Sequence, residues 1–183
     1  MAWKELEPDF KKIHPSSLWG RLDFDKTINV ISSLGDDLVV ILNRSTKYKA
    51  YDFVSSIRVE SGGILIGKVF DFGNEFKPVV IIEDCIPSFE SEGTSVSLKM
   101  DSTIWSKVNA SITKDQFVVG WFHSHPNLGA FFSGTDRATQ RNFFREDYQI
   151  GWVIDPIRKD EAWFYGKDSL GIAATSIIEN SDV

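Results

Sequence analysis

The chain has 183 residues, of which 42% are hydrophobic and 13% aromatic, so it can bury one substantial core but is too short to argue for two domains. Its net charge of -6 works against a phosphate backbone as the main partner, so we do not expect nucleic-acid binding. Neither a secretory apolar segment nor a membrane-length apolar run is visible, and we expect a cytoplasmic protein with no membrane partner.

The first third of the chain predicts a leader, a hairpin and a helix. Residues 1–25 mix prolines, charges and aromatics without a period, and 1–37 is predicted to be a leader packed on the domain. Residues 27–33, a turn at 35–37 and the β-rich 38–42 together suggest a hairpin. A helix capped by Asn43 or Ser45 then ends before Gly62.

Strands and helices follow one another through the rest of the chain. The predicted strands cover 64–70, 78–86, 94–100, 117–122, 149–155 and 161–165, with a turn at 73–74. The predicted helices cover about 101–111 and 135–146. Residues 171–178 are apolar enough to pack back onto the core before a polar tail at 179–183.

Four residues between 120 and 136 form the pattern H-x-H followed by S-x-x-D, namely His123, His125, Ser133 and Asp136. Two histidines separated by one residue lie on the same side of a strand, so their imidazoles can converge on one ion. Catalytic zinc takes three protein ligands and keeps a fourth position for water. The pattern therefore favours a zinc hydrolase with His123, His125 and Asp136 as ligands.

The second half of this pattern has another interpretation. S-x-x-D before a helical run is also typical of a capping box, with Ser133 as the N-cap and Asp136 at the third helical position. The two interpretations are compatible, because a helix N-terminus holds a carboxylate in place and favours its charge.

A zinc hydrolase also needs a group that takes a proton from water and returns it to the leaving amine. The best candidate is Glu60, in the segment ESGGILIG, although periodicity alone predicts a solvated residue near a helix end. The remaining histidine, His14, is predicted to be an incidental surface residue. The single cysteine, Cys85, lies in an apolar run and is predicted to be a small buried residue in a reducing compartment.

Taken together, these residues resemble the motif of the JAMM, or MPN-plus, family of zinc metalloisopeptidases. That motif is E-x-G-G-ϕ-ϕ-ϕ-G followed downstream by H-[ST]-H-P-x6-S-x-x-D. The matching positions are Glu60, Gly62, Gly63, Gly67, His123, Ser124, His125, Pro126, Ser133 and Asp136. The order of predicted elements also agrees from about Leu38 to Tyr165, roughly two thirds of the chain.

The resemblance implies an α/β, cytidine-deaminase-like JAMM/MPN fold, with a curved mixed β-sheet flanked by helices, in a catalytic domain at 38–178. It implies a zinc-dependent isopeptidase that cleaves after the C-terminal glycine of a ubiquitin-like protein, in deconjugation or precursor maturation. One catalytic Zn2+ would be bound by His123, His125 and Asp136. Glu60 would be the general acid/base, and Ser133 would support the oxyanion.

The resemblance also implies how a substrate is bound. In this family the extended tail pairs with a strand of the first insertion, here about 87–114, and 94–100 is the candidate pairing strand. Phe131 and Phe132 are candidates for lining the substrate channel, with core packing equally favoured. No histidine follows His125 and no second cysteine is present, so the second structural zinc of some eukaryotic relatives is not expected.

The compact form resembles a stand-alone bacterial or archaeal member, acting beside E1-like and E2-like proteins in a conjugation or antiviral defence system. Two other readings stay open. A JAMM peptidase could act on small sulfur-carrier or cysteine adducts, which need only a pocket. A catalytically silent MPN scaffold could keep the fold, although such members usually lack part of the metal set, which is intact here. A zinc nucleobase deaminase is disfavoured, because H-x-E paired with P-C-x-x-C is missing.

Overall fold

The computed structural model describes residues 13–35, 38–73, 75–88, 102–113 and 115–181. The helices are α1 Ser16–Trp19, α2 Phe24–Ser33, α3 Arg44–Ser56, α4 Ser102–Ser111 and α5 Gly134–Phe143. The strands are β1 Val39–Asn43, β2 Gly62–Phe70, β3 Val79–Ser88, β4 Phe117–Ser124, β5 Ile150–Asp155, β6 Asp160–Tyr165, β7 Leu170–Gly171 and β8 Ile177–Asn180. A single 3₁₀ turn, Ala174–Ser176, precedes β8 in the described part of the chain.

The strands form one mixed sheet in the order β7-β6-β5-β4-β2-β3-β1-β8. β4 pairs in parallel with β5, and β1 pairs in parallel with both β3 and β8. The other pairings are antiparallel. β2 changes register against both of its neighbours between Leu65 and Gly67, and such bulges bend a strand and increase its twist. The α/β fold with a curved mixed sheet is thereby confirmed.

Both faces of the sheet are covered, because successive side chains in its strands point to opposite sides. On one face, Ala50, Phe53 and Val54 of α3 pack against the central strands. On the other face, Ile104 and Val108 of α4 pack beside Trp121 and Phe144. The third cluster, under α1 and α2, contains Leu18, Val30, Val39, Ile41, Phe70, Val79, Ile81 and Ile178. The central strands are thus fixed from both sides.

The hairpin predicted for 27–42 is wrong. Residues 27–33 belong to helix α2, whose N-cap Asp23 accepts a hydrogen bond from the Lys26 amide at 2.9 Å. β1 instead pairs with β3 and β8, which come from later in the chain. The β-branched residues Thr27, Ile28 and Val30 favour a strand by propensity, but the cap and the burial of Val30 against the sheet favour the helix.

The irregular conformation predicted for 1–25 is also wrong within the described residues, since α1 and the start of α2 lie there. Leu18 of α1 is fully buried. His14 is exposed and contacts Ser16 through Nδ1 at 2.9 Å, in keeping with a surface residue. No sequence signal marked α1, because a four-residue helix is about one turn and is too short to show a repeated apolar spacing.

The remaining elements agree with their predictions to within a few residues at each end. This applies to α3, α4, α5, β2, β3, β4, β5 and β6. Residues 171–178 do pack back, with Ile172 and Ile178 buried. The predicted strand at 94–100 and Asn74 of the predicted turn lie outside the described residues. Among the helices that are described, none has the length and apolar character needed to cross a bilayer.

Candidate metal centre

The two histidines lie where β4 ends. His123 is the next-to-last residue of β4, and His125 follows one residue after its end, rather than within the strand as predicted. The His125 amide still donates to Ile154 O at 2.9 Å, so the chain continues alongside β5. Because of this continued pairing the two side chains remain on one side, and both residues are 2% exposed.

The aspartate comes from the N-terminus of α5. Ser133 is the N-cap, and its Oγ accepts from the Asp136 amide at 3.2 Å while the Ser133 amide donates to Asp136 Oδ2 at 2.6 Å. This is the reciprocal capping box that the sequence also allowed. Asp136 is nevertheless fully buried, so the box holds a carboxylate inside the protein rather than at its surface.

The three side chains converge. His123 Nε2 lies 3.2 Å from His125 Nε2 and 3.2 Å from Asp136 Oδ1, and His125 Nε2 lies 3.6 Å from Asp136 Oδ2. Tetrahedral zinc with ligand bonds of about 2.0–2.1 Å separates its ligands by about 3.3 Å. Asp136 Oδ1 is buried without a hydrogen-bond partner among the described residues. The donor set and its spacing therefore fit one zinc ion.

The electrostatics of the cluster also suit a cation. Burial raises the pKa of Asp136, but the adjacent His123 imidazole and the hydrogen bonds of Ser133 outweigh it and bring the pKa to about 2. Burial and the neighbouring His123 lower the pKa of His125, against the opposing effect of Asp136. At neutral pH the cluster thus presents a carboxylate anion and a neutral His125 imidazole, the forms in which these groups bind metal.

Glu60 reaches the cluster from the neighbouring strand. β2 pairs with β4 so that Gly62 is opposite His123, and continuing this register by two residues places Glu60 opposite His125. Burial raises the pKa of the Glu60 carboxyl; His125 lowers it to a smaller extent, and the negative charge of Asp136 adds to the increase. Glu60 Oε2 is buried and has no hydrogen-bond partner in the described part of the protein. The carboxyl is therefore available to a substrate or a water molecule.

A glycine is required where these strands meet. A Cβ on Gly62 would lie 2.1 Å from Phe122 O and 2.9 Å from His123 Cα, which no side chain can occupy. The glycine pair after Glu60 thus allows β2 to approach the histidine strand closely.

Residues 56–164 match the family model described as prokaryotic homologs of the JAB domain. This chain belongs to that family. The 26S proteasome regulatory subunit RPN11 of Eremothecium gossypii is 32% identical over 109 residues, which is 57% of this chain and 33% of that protein. The ubiquitin carboxyl-terminal hydrolase RPN11 of Saccharomyces cerevisiae is 29% identical over 109 residues, covering 57% and 34% respectively. The match thus spans about a third of the length of each relative.

A solved structure supports the fold. The solution structure of protein DSY2949 from Desulfitobacterium hafniense superposes with a TM-score of 0.59 over 79% of this chain and 94% of that chain. At 18% identity the likeness concerns the fold alone. It is consistent with the JAB-family membership that the sequence match shows.

The two adjacent phenylalanines of this JAB-family chain have different surroundings. Phe132 is 6% exposed and stacks on Phe164 with ring centroids 4.1 Å apart, so it belongs to the core. Phe131 is 48% exposed, and its ring centroid lies 4.9 Å from that of His125. Phe131 is therefore the one of the pair that a substrate can contact at the site.

One support of the site was missed in the sequence. Trp121 stacks on the His123 ring with centroids 4.5 Å apart, and its Nε1 donates to Gln140 Oε1 at 2.7 Å. Gln140 Nε2 in turn donates to the carbonyls of Phe144 and Gln149. This buried network fixes the plane of His123. The sequence did not reveal the contribution of Gln140, because a glutamine on a helix is compatible with either a buried or a solvated position.

A second missed residue is Asp155, the last residue of β5. Its buried carboxylate accepts hydrogen bonds from the amides of Asn127, Gly129, Ile157 and Arg158, at 2.7–3.1 Å. It therefore fixes the loop that follows His125. An aspartate between an apolar strand and Pro156 is a recognisable turn signal, and it could have been found on that basis.

Proposed function

We propose that this protein is a zinc-dependent isopeptidase that cleaves after the C-terminal glycine of a ubiquitin-like protein, either removing the modifier from a conjugate or maturing its precursor. His123, His125 and Asp136 would hold one Zn2+, Glu60 would be the general acid/base, and Ser133 would stabilise the oxyanion. The proposed catalytic domain spans 38–178.

One observation carries this proposal. Three buried ligand atoms converge at zinc spacing beside a buried carboxyl oxygen, Glu60 Oε2, which lacks a partner among the described residues. Buried polar groups in folded proteins are normally hydrogen-bonded, and a cluster left unsatisfied needs an explanation. A metal ion and a reacting water molecule supply the missing partners, which a purely structural role for these residues would not require.

A zinc ion held by these residues would supply Lewis-acid polarisation of the scissile carbonyl and lower the pKa of a bound water molecule. Glu60 accepts the proton that this water loses and then donates it to the leaving amine. The raised pKa of Glu60, caused by burial, suits a group that must both take and return a proton near neutral pH.

Ser133 has the hydrogen-bonding capacity for its proposed role. Its Oγ accepts from the Asp136 amide, which occupies one lone pair and leaves the hydroxyl hydrogen to donate. A donor held by a helix cap is already oriented before the substrate arrives, and such preorganised donors stabilise developing negative charge.

The substrate class is proposed from two considerations. The yeast relative is named as a ubiquitin carboxyl-terminal hydrolase, and the matched range 56–164 spans the positions of all the proposed site residues. Exposed Phe131 beside His125 offers an apolar surface for the residues next to the scissile bond. We further propose that the substrate tail pairs along 94–100 and that E1-like and E2-like proteins act in the same system.

The test is a cleavage assay with the zinc-loaded protein, its Glu60→Ala form and a control, Glu75→Ala, which removes an exposed carboxylate. The substrates are ubiquitin-like proteins carrying C-terminal extensions or isopeptide-linked lysine, and product masses identify the cleaved bond. We expect cleavage after the terminal glycine by the wild type and the control, and a loss of about 10²–10⁴-fold in Glu60→Ala.

Two outcomes would contradict the proposal. A Glu60→Ala protein that cleaves at the wild-type rate would remove Glu60 from the chemistry. A wild-type protein with zinc bound one to one that cleaves none of the substrates would favour small adducts or a scaffold role.

A further inference from the structure

The serine between the two histidines makes an unusual connection to the neighbouring strand. Ser124 is fully buried, and its amide donates to Ser61 O at 2.8 Å, as in a regular antiparallel pair. The return bond differs, since the Ser61 amide donates to the Ser124 hydroxyl Oγ at 3.1 Å rather than to a main-chain carbonyl. The two hydroxyl oxygens lie 3.3 Å apart.

This side-chain bond extends the pairing of the strands beyond the sheet. The regular β2–β4 ladder ends at Gly62 opposite His123, and Ser61 lies between the ladder and Glu60. Ser61 is 7% exposed, so its amide has little access to water. Without the Ser124 hydroxyl this amide would be a buried donor without a partner, and the chain before Gly62 would have to move to hydrate it.

We propose that Ser124 is a positioning residue that holds Glu60 opposite His125. It acts through Ser61, whose amide nitrogen belongs to the same peptide unit as the Glu60 carbonyl. Fixing this peptide unit restricts where the Glu60 side chain begins. The inference rests on the proposed catalytic role of Glu60, although the hydrogen bond itself can be tested without it.

Three variants separate the possible contributions. Ser124→Ala removes the acceptor of the Ser61 amide. Ser124→Thr keeps a hydroxyl and adds a β-branch, which strands accommodate well. Ser61→Ala removes only the contact between the two hydroxyls and leaves the Ser61 amide bonded to Ser124 Oγ.

The first measurement is amide hydrogen exchange at residue 61, with backbone ¹⁵N order parameters at residue 60, in the zinc-loaded protein. Ser124→Ala is expected to lower the protection factor at residue 61 by about tenfold or more and to lower the order parameter at residue 60. Ser124→Thr restores both, and Ser61→Ala stays within about threefold of the wild-type protection.

The second measurement is steady-state turnover with a cleaved substrate. A misplaced catalytic group reduces kcat by about 10–100-fold without weakening substrate binding. Ser124→Ala is therefore expected to lower kcat with KM and zinc stoichiometry unchanged, and Ser124→Thr to recover kcat. If Ser124 only stabilised the fold, Ser124→Ala would lower the melting temperature, and kcat measured below that temperature would equal the wild-type value.

Each outcome decides the inference. Unchanged protection and order in Ser124→Ala overturn it, whether or not a substrate has been found. Lost protection with wild-type kcat also overturns it, since the bond would then not position Glu60. If the wild type cleaves nothing, the proposed function fails, and reduced order at Glu60 in Ser124→Ala still supports the positioning role.

Discussion

Two buried carboxylates lie on either side of the loop that follows His125, and they are satisfied in different ways. The side chains of Asp155 and Asp136 are both fully buried, and the pKa of each carboxyl is lowered to about 2. Asp155 accepts four main-chain amides, which serve both of its oxygens. Asp136 Oδ2 accepts one amide, and its Oδ1 faces His123 without a hydrogen bond from any described residue.

The difference separates a structural carboxylate from a candidate metal ligand. A buried charge is stable in a protein when hydrogen bonds or an opposite charge compensate its lost hydration. The amides complete this compensation at Asp155, so nothing further has to bind there. At Asp136 the compensation is incomplete, and the same reasoning points to a cation between this carboxylate and the two imidazoles.

Among variants of the residues that hold or surround these two carboxylates, the largest effect is expected for Ser133→Ala, which removes the proposed oxyanion donor and the helix cap together. We expect kcat to fall by about 10²–10³-fold, and the free energy of unfolding to fall by about 1 kcal/mol. Steady-state kinetics and thermal unfolding measure the two effects. Ser133→Thr, which keeps the hydroxyl, is the control. Wild-type kcat in Ser133→Ala would leave Ser133 as a cap only.

Asp155→Asn is expected to destabilise the protein without removing the metal site. The amide group of asparagine presents N–H donors where the four main-chain amides need acceptors, so the free energy of unfolding should fall by about 2 kcal/mol. Denaturant unfolding measures this loss. Because the four amides that Asp155 accepts belong to other residues than the proposed metal ligands, zinc stoichiometry should remain one. If Asp155→Asn lost zinc but kept its free energy of unfolding, Asp155 would act as a ligand and not as a structural carboxylate, contradicting the comparison.

The same comparison predicts a difference in acid stability. Burial raises the pKa of Asp155, but its four amide partners outweigh this and lower the pKa to about 2, whereas an unfolded aspartate has a pKa of about 3.9. The stability that Asp155 contributes is therefore complete above about pH 4 and is lost as the pH falls towards 2. In metal-free protein, Asp155→Asn should lose less stability than the wild type across this interval. If the free energy of unfolding fell equally with pH in the wild type and in Asp155→Asn, the protonation of Asp155 would not contribute to acid stability.

The smallest expected effect on stability is that of Phe131→Ala. The side chain is about half exposed, so the free energy of unfolding should change by less than about 0.5 kcal/mol. Its contact with His125 predicts a higher KM instead. Phe132→Ala, which empties a core position, is the contrasting control. A large loss of stability in Phe131→Ala would place this residue in the core.

Local sequence patterns predicted most of the fold and also identified the candidate metal ligands. The alternating apolar strands and the helix spacing of α3 and α5 are properties of short segments, and the H-x-H and S-x-x-D spacings are fixed by strand and cap geometry. The segment 27–33 was misassigned because its β-branched residues favour a strand locally, while the sheet that buries Val30 is formed by distant parts of the chain.

The missed contributions to the site are also long-range. Gln140 bonds Trp121 across 19 residues of sequence, and Ser124 bonds Ser61 across 63. Neither residue type reveals its partner, because glutamine and serine are commonly found at the protein surface as well as in buried hydrogen-bond networks. Asp155 is intermediate, since its turn was recognisable but its second loop, at Asn127 and Gly129, was not.

The central claim is that Asp136 is a metal ligand and not only a helix cap, and zinc stoichiometry tests it most directly. Wild type, Asp136→Asn and Asp155→Asn are loaded with zinc, dialysed against a mild chelator and measured for metal content per chain. Asp136→Asn keeps a side-chain oxygen near the Ser133 amide but loses the charge that zinc requires. We predict one zinc in the wild type and in Asp155→Asn, and strongly reduced zinc in folded Asp136→Asn. Full occupancy in Asp136→Asn would contradict the claim.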